Sequence, residues 1–311
     1  MTIIDAGLLS TVQDLGREGY QSMGFSVSGA LDRRSLILGN LLVGNPRSAA
    51  GIEMTLKGIT AEFTSPAVIA LTGADMKATI NGSPFPRYRA RYVHAGDVLK
   101  CGMAVEGCRG YLCIAGGVDV PEIMGSRSTN LKCKMGGFEG RKLAAGDWIA
   151  YAAASANTDG RRLAMQHFDS AVTVRVVMGP QDDLFTDEGI RAFLTSEYTV
   201  TPASDRMGAR LEGAVVTAKG KSDIVSDGIA AGSVQIPSSG KPIILMADRQ
   251  TTGGYAKAAT VISVDLPKLA QLKPGDKVRF KAVSKCAARF AYIREEGFYH
   301  DLERGYSWKV Y

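Results

Sequence analysis

A dense run of polar side chains directly follows a strongly apolar segment of this chain. Residues 242–247 are apolar, and the residues behind them carry a carboxylate, a guanidinium, an amide, two hydroxyls and two glycines: Asp248, Arg249, Gln250, Thr251, Thr252, Gly253 and Gly254. An apolar strand that ends in so many hydrogen-bonding groups is typical of a binding loop on a rigid scaffold. An ordinary polar turn would explain the glycines and threonines, but not Asp, Arg and Gln in succession. The pattern therefore favours a binding site.

Two other motifs, Asp205-Arg206 and Arg127-Ser128, set an arginine among short polar residues. A guanidinium fork at such a place can hold a carboxylate or a phosphate in bidentate fashion. An arginine that only pins its own loop explains each motif equally well. Gln235 lies in the segment that leads into the polar loop, so we expect its amide to reach the same cavity.

Other kinds of catalytic site find little support. A phosphate-binding loop ending at 220–222 would need glycine at position 215, which is Val215. No G-x-S-x-G nucleophile elbow is present, and a structural role is the better interpretation of each of the three histidines, His94, His167 and His300. No histidine stands near a cysteine at zinc-ligand spacing, so we expect no metal site on this chain. The segment 132–135 lacks the Ala-Met that precedes a biotinylated lysine, so we expect no covalent biotin.

The composition is that of a soluble globular protein, with 45% apolar and 22% charged residues in a chain of 311. The net charge of +6 (37 basic minus 31 acidic) is spread along the chain, so an anionic substrate explains it at least as well as nucleic acid does. The five cysteines form no C-x-x-C pair and predict buried, reduced thiols. There is no signal-peptide pattern and no apolar run of about eighteen residues, so we expect a cytoplasmic protein that does not span a membrane.

Strands dominate the elements that must position these residues. Short apolar or alternating runs, most of them bounded by Gly, Pro, Asn or Asp, occur at 67–71, 78–80, 111–114, 172–178, 215–218, 243–246, 260–264 and 277–282. Strands of this length and spacing favour sandwich or barrel sheets over repeated strand–helix–strand units. Helical patterns are few, at 31–42, 187–196, 266–272 and 286–297, with Thr186 as a candidate N-cap for the second.

A turn of small residue, Gly and Asp that feeds a strand occurs three times, at Gly96-Asp97, Gly146-Asp147 and Gly275-Asp276. The first two turns close segments of one half of the chain, and the third closes the other half. We therefore predict two β-rich domains of related construction, 1–155 and 165–311, divided within the small, polar stretch 152–162.

The segment 87–92 alternates arginine with other residues, at Arg87, Arg89 and Arg91. On a strand, all three guanidinium groups would project from one face. A solvated face is the simpler interpretation, and a docking stripe for an acidic partner is the alternative.

Five ordered motifs between residues 3 and 280 resemble the allophanate hydrolase subunit 2 family, also called the biotin-dependent carboxyltransferase or KipA-like family. They lie at 12–17, 71–75, 125–129, 204–208 and 246–255, and read VQDLGR, LTGAD, GSRST, SDRMG and MADRQTTGGY. The resemblance implies a mainly β fold of two cyclophilin-like β-barrel domains with a few short helices, which agrees with the strand pattern.

The stand-alone bacterial members of this family include the C subunit of 5-oxoprolinase, and the resemblance implies that function. Together with a direct partner, a KipI-like B subunit, and with the A subunit of the same enzyme, the chain would cleave 5-oxo-L-proline to L-glutamate at the expense of ATP. ATP and Mg²⁺ would be bound at the level of the complex. The chain carries neither a biotin carboxylase nor a biotinyl segment, which favours this role over carboxyl transfer.

Side-chain chemistry placed on the family motifs suggests catalytic roles for four residues. We expect Arg249 and Arg206 to clamp anions, with Asp248 or Asp205 as a base or a magnesium contact. Six residues are expected to orient the substrate or to allow close backbone approach: Gln235, Gln250, Thr251, Thr252, Gly253 and Gly254. Arg127 and Ser128 are expected to line the same cavity from the N-terminal half.

Two other functions stay open at this stage. The chain would be a non-catalytic antagonist if it only binds a KipI-like kinase inhibitor, a role that suits an exposed arginine stripe. It would be a carboxyltransferase component if it serves a biotin-dependent system of the urea carboxylase type.

Overall fold

The computed structural model describes residues 1–152, 158–305 and 308, which divide into two compact units. Unit 1 comprises Met1–Glu18, Ser28–Phe168 and the described residues from Tyr299 onward, and unit 2 comprises Gly19–Val27 and Asp169–Phe298. Residues 153–157, inside the predicted boundary at 152–162, lie outside the described residues.

The strands of unit 1 form two antiparallel five-stranded sheets and one short pair. The first sheet joins, in spatial order, β1 (Thr2–Asp5), β4 (Thr60–Glu62), β9 (Val98–Lys100), β6 (Thr79–Ile80) and β7 (Ser83–Pro84). The second sheet joins β2 (Leu9–Gln13), β3 (Gly51–Thr55), β10 (Glu106–Ile114), β5 (Ala67–Asp75) and β8 (Ala90–Val93). The short pair is β11 (Val118–Asp119) with β12 (Ala150–Tyr151).

One apolar cluster joins the two sheets of unit 1, with Ile3 and Leu99 contributed by the first sheet and Ile52 and Leu112 by the second. The other face of the second sheet is covered by helix α1 (Arg33–Leu42). A Cβ atom added to Gly39 of α1 would lie 2.6 Å from Sγ of a cysteine on β10. Only glycine therefore lets the helix pack this closely against the sheet.

Unit 2 is built on a closed barrel whose strands follow one another around the ring. They are β13 (Ala171–Met178), β20 (Lys257–Val261), β17 (Ser233–Gln235), β18 (Ile243–Leu245), β15 (Gly208–Glu212), β14 (Tyr198–Val200) and β21 (Lys277–Ala282). Neighbours are antiparallel except β13 and β21, which are parallel. The predicted mainly β class with a barrel is confirmed. A separate two-stranded arm pairs β16 (Asp223–Gly228) with β19 (Thr252–Tyr255).

The remaining helices lie close to their predicted positions: α2 (Asp187–Thr195), α3 (Leu266–Ala270) and α4 (Lys285–Glu303). Thr186 caps α2 as predicted, because its hydroxyl accepts the backbone N–H of Gly189 at 3.0 Å. The prediction ended α4 at residue 297, but the helix continues to Glu303, whose carboxylate pairs with Arg47 at 2.7 Å. None of the helices in the described part of the chain combines the length and the apolar run needed to cross a membrane.

The three Gly-Asp turns share one geometry, in agreement with the sequence pattern. Each glycine has a left-handed φ, of 88°, 90° and 97° along the chain. Each aspartate accepts the backbone N–H of the residue three positions earlier, at 2.7 Å for Asp97, 2.7 Å for Asp147 and 2.8 Å for Asp276. The same local clamp therefore occurs in both units.

The predicted strand at 215–218 is wrong. The backbone of this segment bonds to loops instead, with the N–H of Val216 donating to the carbonyl of Gly240 at 3.0 Å and the carbonyl of Thr217 accepting from Thr186 at 3.0 Å. The expectation of buried thiols holds for Cys101, Cys108 and Cys113 but is wrong for the exposed Cys133 and Cys286.

The prediction that three arginines of 87–92 share one strand face is also wrong. Tyr88 has a left-handed φ of 56°, so the chain turns before β8 and the alternation of 87–92 does not fall on one strand. Arg87 is buried and donates to the carbonyl of Gly73 at 2.6 Å, whereas Arg91 is exposed. The arginines therefore share no solvent-facing row.

Candidate functional site

The polar loop begins behind β18 with a buried ion pair. The carboxylate of Asp248 accepts two hydrogen bonds from Arg206, from Nε at 2.8 Å and from Nη2 at 3.1 Å. The backbone N–H of Asp248 also donates to the carbonyl of Arg206 at 2.9 Å. The two residues meet because they continue the antiparallel β15–β18 ladder, in which Gly208 pairs with Leu245. Each charge neutralises the other, which is what a buried pair requires.

Arg249, the next residue, is buried and has no carboxylate counterion among the described residues. Its side chain donates to two backbone carbonyls, from Nε to Ile229 at 3.3 Å and from Nη1 to Met246 at 3.2 Å, and the residue is 6% exposed. No carboxylate of the described residues forms an ion pair with it. Burial lowers the pKa of Arg249 from its ordinary value, since a charged group is costly to remove from water. Arg249 thus offers an uncompensated positive charge and spare N–H donors to an anion.

Asp205 has a turn-forming contact in this structure. Its Oδ1 atom accepts the backbone N–H groups of Met207 at 2.8 Å and Gly208 at 3.0 Å. Such a side-chain-to-backbone turn fixes the chain on both sides of Arg206. The role of Asp205 as a base or a magnesium contact stays a prediction.

Gln235 and Gln250 come together around Gly253. Gln235 is buried on β17 and donates from Nε2 to the carbonyl of Tyr255 at 3.3 Å. A Cβ added to Gly253 would lie 2.6 Å from Cδ1 of Ile229, 2.9 Å from Nε2 of Gln235 and 3.5 Å from Nε2 of Gln250. A side chain at position 253 would therefore displace the side-chain ends of Ile229 and Gln235, which close around the backbone here.

The other predicted loop residues support the two-stranded arm. The carbonyl of Thr251 accepts the N–H of Ile229 at 3.0 Å, and Thr252 pairs with Gly228 in the ladder between β19 and β16. A Cβ on Gly254 would lie 3.3 Å from the carbonyl of Ile224. The loop is thus held to the barrel on one side and to the arm on the other.

Lys257 is a residue of this region whose role the sequence analysis missed. It is 2% exposed, and its Nζ atom donates to Oδ2 of Asp227 at 2.6 Å and to the carbonyl of Gly228 at 3.1 Å. It stands opposite Gln235 in the β17–β20 ladder. The hydrogen bond from Lys257, and next that from the N–H of Gly228, hold the pKa of Asp227 below its ordinary value. A lone lysine in the small and apolar stretch 256–261 was the available signal.

Arg127 and Ser128 lie in unit 1, where they join the 12–17 motif. Asp14 accepts four hydrogen bonds: from the N–H groups of Gly16 (2.7 Å) and Arg127 (2.6 Å), and from the hydroxyls of Ser126 (2.7 Å) and Ser128. We call this cluster the Asp14 knot. It brings together two motifs that are more than a hundred residues apart in sequence.

The side chains at the edge of the Asp14 knot are also engaged. The carbonyl of Ser128 accepts Nη2 of the buried Arg17 at 2.5 Å. The guanidinium of Arg127 donates to the carbonyl of Val120 at 2.9 Å and to Glu122 at 3.2 Å. Arg127 and Ser128 therefore tie loops of unit 1 together, and their contact with a ligand stays a prediction.

The arrangement in unit 2 suits a small, polar, anionic ligand. Arg249 supplies a desolvated positive charge, the amides of Gln235 and Gln250 supply donors and acceptors, and Gly253 keeps the backbone accessible. Among the residues that the structure describes, no group of three or more His, Cys, Asp or Glu side chains is placed to hold a metal ion.

Comparison with known proteins identifies the family to which the chain is similar. The family described as "Carboxyltransferase domain, subdomain A and B" matches residues 23–282, which include the polar loop, Arg206 and Lys257. Two relatives are named as the C subunit of 5-oxoprolinase. The Haemophilus influenzae protein is 38% identical over 282 residues, 91% of each chain. The Escherichia coli K12 protein is 35% identical over 311 residues, 100% of this chain and 99% of that one.

A solved structure agrees with these sequence matches. The crystal structure of the urea amidolyase of K. lactis matches 97% of this chain with a TM-score of 0.91 and 29% sequence identity. The matched region is 20% of that longer protein. The predicted resemblance is therefore confirmed, and the chain belongs to the family of carboxyltransferase domains, subdomain A and B.

Proposed function

We propose that this chain is the C subunit of an ATP-dependent 5-oxoprolinase. In this proposal it binds a KipI-like B subunit directly and, together with the A subunit, converts 5-oxo-L-proline to L-glutamate. The similarity to two bacterial proteins that are named as the C subunit of 5-oxoprolinase, over at least 91% of this chain, supports it.

The buried guanidinium of Arg249 carries the proposal at the level of the site. Burying a charge without a counterion is costly, and a ligand of opposite charge would offset that cost. At neutral pH, 5-oxoproline is an anion because of its carboxylate. We assign Arg249 the task of holding a negative charge of the substrate or of the group that reacts with it.

The neighbouring pair has a supporting task in this proposal. Arg206 holds both oxygens of Asp248 and so fixes the start of the loop, which sets the position of Arg249. A proton acceptor at Asp248 would have to act while it is bonded to Arg206. We therefore propose Asp248 and Arg206 chiefly as positioning residues.

The lactam itself requires neutral donors and acceptors. Gln235 and Gln250 are suited to the ring N–H and carbonyl, and Thr251 and Thr252 are suited to its edges. Gly253 and Gly254 would allow the ring to approach the backbone. Arg127 and Ser128 are proposed to contact the substrate as well. Arg127→Ala tests this in the reconstituted complex, because unchanged turnover would exclude Arg127 from the site.

Amide resonance makes the direct hydrolysis of a lactam slow. When bound, ATP with Mg²⁺ supplies a phosphoryl group for the lactam oxygen, so that water can open the ring. In this proposal, ATP and Mg²⁺ are bound at the level of the complex.

Reconstitution tests the proposal. We expect the purified chain alone to show little 5-oxoproline-dependent ATP hydrolysis, and the mixture with its A and B subunits to show it. Robust activity with urea and carboxybiotin, but none with 5-oxoproline, would identify a carboxyltransferase of the urea carboxylase type. Binding to a KipI-like protein without any turnover would identify a non-catalytic antagonist.

A single variant tests the assigned site. Arg249→Ala should reduce turnover by at least about a hundredfold while folding and complex assembly persist, a loss typical of an electrostatic contact in an active site. The matched control is Arg279→Ala, which removes a mostly exposed arginine of the same unit that pairs with Glu197 at 3.0 Å. Its turnover should stay within twofold of the unaltered complex.

A further inference from the structure

Lys257 and Arg249 approach the same short segment of chain. The ammonium of Lys257 donates to the carbonyl of Gly228, and Nε of Arg249 donates to the carbonyl of Ile229. The two carbonyls belong to consecutive residues, whose Cα atoms are about 3.8 Å apart, so both cations bond to the same strand end. Both residues are more than nine-tenths buried.

Only one carboxylate of the described residues serves these two cations. Asp227 bonds to Lys257, and its side chain is 56% exposed because it lies on the solvent-facing arm. Arg249 has no carboxylate partner among the same described residues. Two desolvated positive charges beside a single exposed negative one leave a net positive potential at this point of unit 2.

A structural role alone does not explain this imbalance. A lysine that only anchors the arm needs its aspartate and a carbonyl, and Lys257 has both. Such an anchor would not need Arg249, whose guanidinium donates to the carbonyl of the next residue, Ile229, and has no carboxylate partner among the described residues. The arrangement fits a site where an incoming carboxylate meets both cations and Asp227 serves as the counterion in its absence.

We propose that Lys257 and Arg249 form a carboxylate subsite, in which the carboxylate of a small amide substrate competes with Asp227 for the ammonium group of Lys257. The inference rests on the proposed function for the identity of the substrate, 5-oxoproline. In this subsite Lys257 determines specificity for a carboxylate, and Asp227 is the internal competitor of that carboxylate.

The kinetic test uses the complex with the A and B subunits. Lys257→Met should raise KM for 5-oxoproline at least tenfold and change kcat less than threefold. The matched control is Lys241→Met, since Lys241 also bonds to a carboxylate (Glu212, 2.6 Å) and to a carbonyl (Gly213, 2.6 Å). This variant should leave KM within twofold.

A second variant separates a carboxylate subsite from a structural anchor. Asp227→Asn removes the competitor, so the subsite predicts a KM lowered about two- to fivefold. An anchor predicts the opposite, because the arm loses its attachment and KM rises. As a further check, inhibition by 2-pyrrolidinone, the lactam without a carboxylate, should be equal in the unaltered complex and in Lys257→Met.

The outcomes distinguish this inference from the proposed function. If the unaltered complex is active and Lys257→Met leaves KM within twofold, or weakens 2-pyrrolidinone and 5-oxoproline equally, the subsite is overturned and the proposed function stands. If the unaltered complex is inactive with 5-oxoproline, the proposed function fails. Calorimetric titration of the full chain with glutarate then decides: binding that Lys257→Met abolishes supports the subsite, and absent or unaltered binding overturns it.

Discussion

The Asp14 knot of unit 1 and the polar loop of unit 2 are built from the same kinds of residue but differ in how their charges are balanced. In the knot, one carboxylate accepts four hydrogen bonds from backbone and hydroxyl donors. In the loop, Asp248 is matched by Arg206, while Arg249 has only carbonyl partners among the described residues. Donors of its own chain thus surround the carboxylate of Asp14, whereas the positive charge of Arg249 is available to a ligand.

This difference shows what marks a site for a ligand. Runs of similar polar residues can stabilise a loop or bind a ligand, and the sequence alone does not tell these two roles apart. The use of the hydrogen-bonding groups distinguishes them. Both oxygens of Asp14 accept hydrogen bonds from the chain, whereas Arg249 donates to two carbonyls and keeps further N–H donors that a ligand can use.

The largest expected effect concerns the balanced pair of the loop. Asp248→Ala should lower the free energy of unfolding by about 3–5 kcal/mol, because Arg206 stays buried without its carboxylate. Urea denaturation followed by circular dichroism measures it. Adding Arg206→Met to Asp248→Ala should recover most of the loss, and a double variant no more stable than Asp248→Ala would contradict the pairing.

The Asp14 knot should respond almost as strongly. Asp14→Asn keeps the shape but removes the negative charge that four donors share, so the free energy of unfolding should fall by about 2–3 kcal/mol. The same denaturation measures it. A loss below about 0.5 kcal/mol would show that the knot contributes little to stability, and the contrast with the loop would then disappear.

A second bidentate pair in unit 2, Arg175 with Asp265, makes a balanced charge pair testable through the pH dependence of stability. Burial alone would raise the pKa of Asp265, but hydrogen bonds from Arg175, at 2.8 Å each, together with Lys268 at 3.0 Å, outweigh it and lower the pKa below its ordinary value. Its stabilisation is therefore present above the ordinary aspartate pKa, about 3.9, and is lost as pH falls through the lower folded value.

Asp265→Asn should cost about 1–2 kcal/mol at pH 7, discounted because the Arg175 side chain is 37% exposed. The difference in unfolding free energy between this variant and the unaltered chain should shrink below pH 4. A difference that stays constant between pH 7 and pH 3 would exclude the carboxylate as its origin.

The smallest expected effect on stability belongs to Arg249. Arg249→Met removes a buried charge that has no counterion in the described part of the chain and keeps a long, unbranched side chain, so stability should be unchanged or rise by up to about 1 kcal/mol. Thermal unfolding measures it. A loss above about 2 kcal/mol would mean that the fold needs this guanidinium, and Arg249 would then resemble Arg206.

Much of the fold follows from local sequence. The apolar runs at 172–178 and 277–282 correspond to β13 and β21, and Thr186 caps α2, since these features depend on nearby residues. The turn at Tyr88 could not be predicted, because its left-handed backbone is stabilised by distant partners such as the N–H of Gly73, which donates to the Tyr88 hydroxyl at 3.1 Å.

The site was predictable in part for the same reason. The loop at 248–254 is contiguous and stands out by composition. Lys257 did not stand out, because a lysine at a strand end is usually solvated and its burial depends on Asp227, thirty residues earlier. Charge balance is a property of the folded chain, so the sequence alone could not separate Arg249 from Arg206.

The parallel pairing of β13 with β21 has a consequence for how unit 2 forms. These strands are about a hundred residues apart in sequence, and β21 also pairs with β14 on its other side. A ladder between distant segments forms late, because the loop between its strands must close first. Until β21 arrives, β13 and β14 both present unpaired edges, which are templates for aggregation. A nascent or nicked chain without β21 is therefore the form of this protein that chaperones and proteases should recognise.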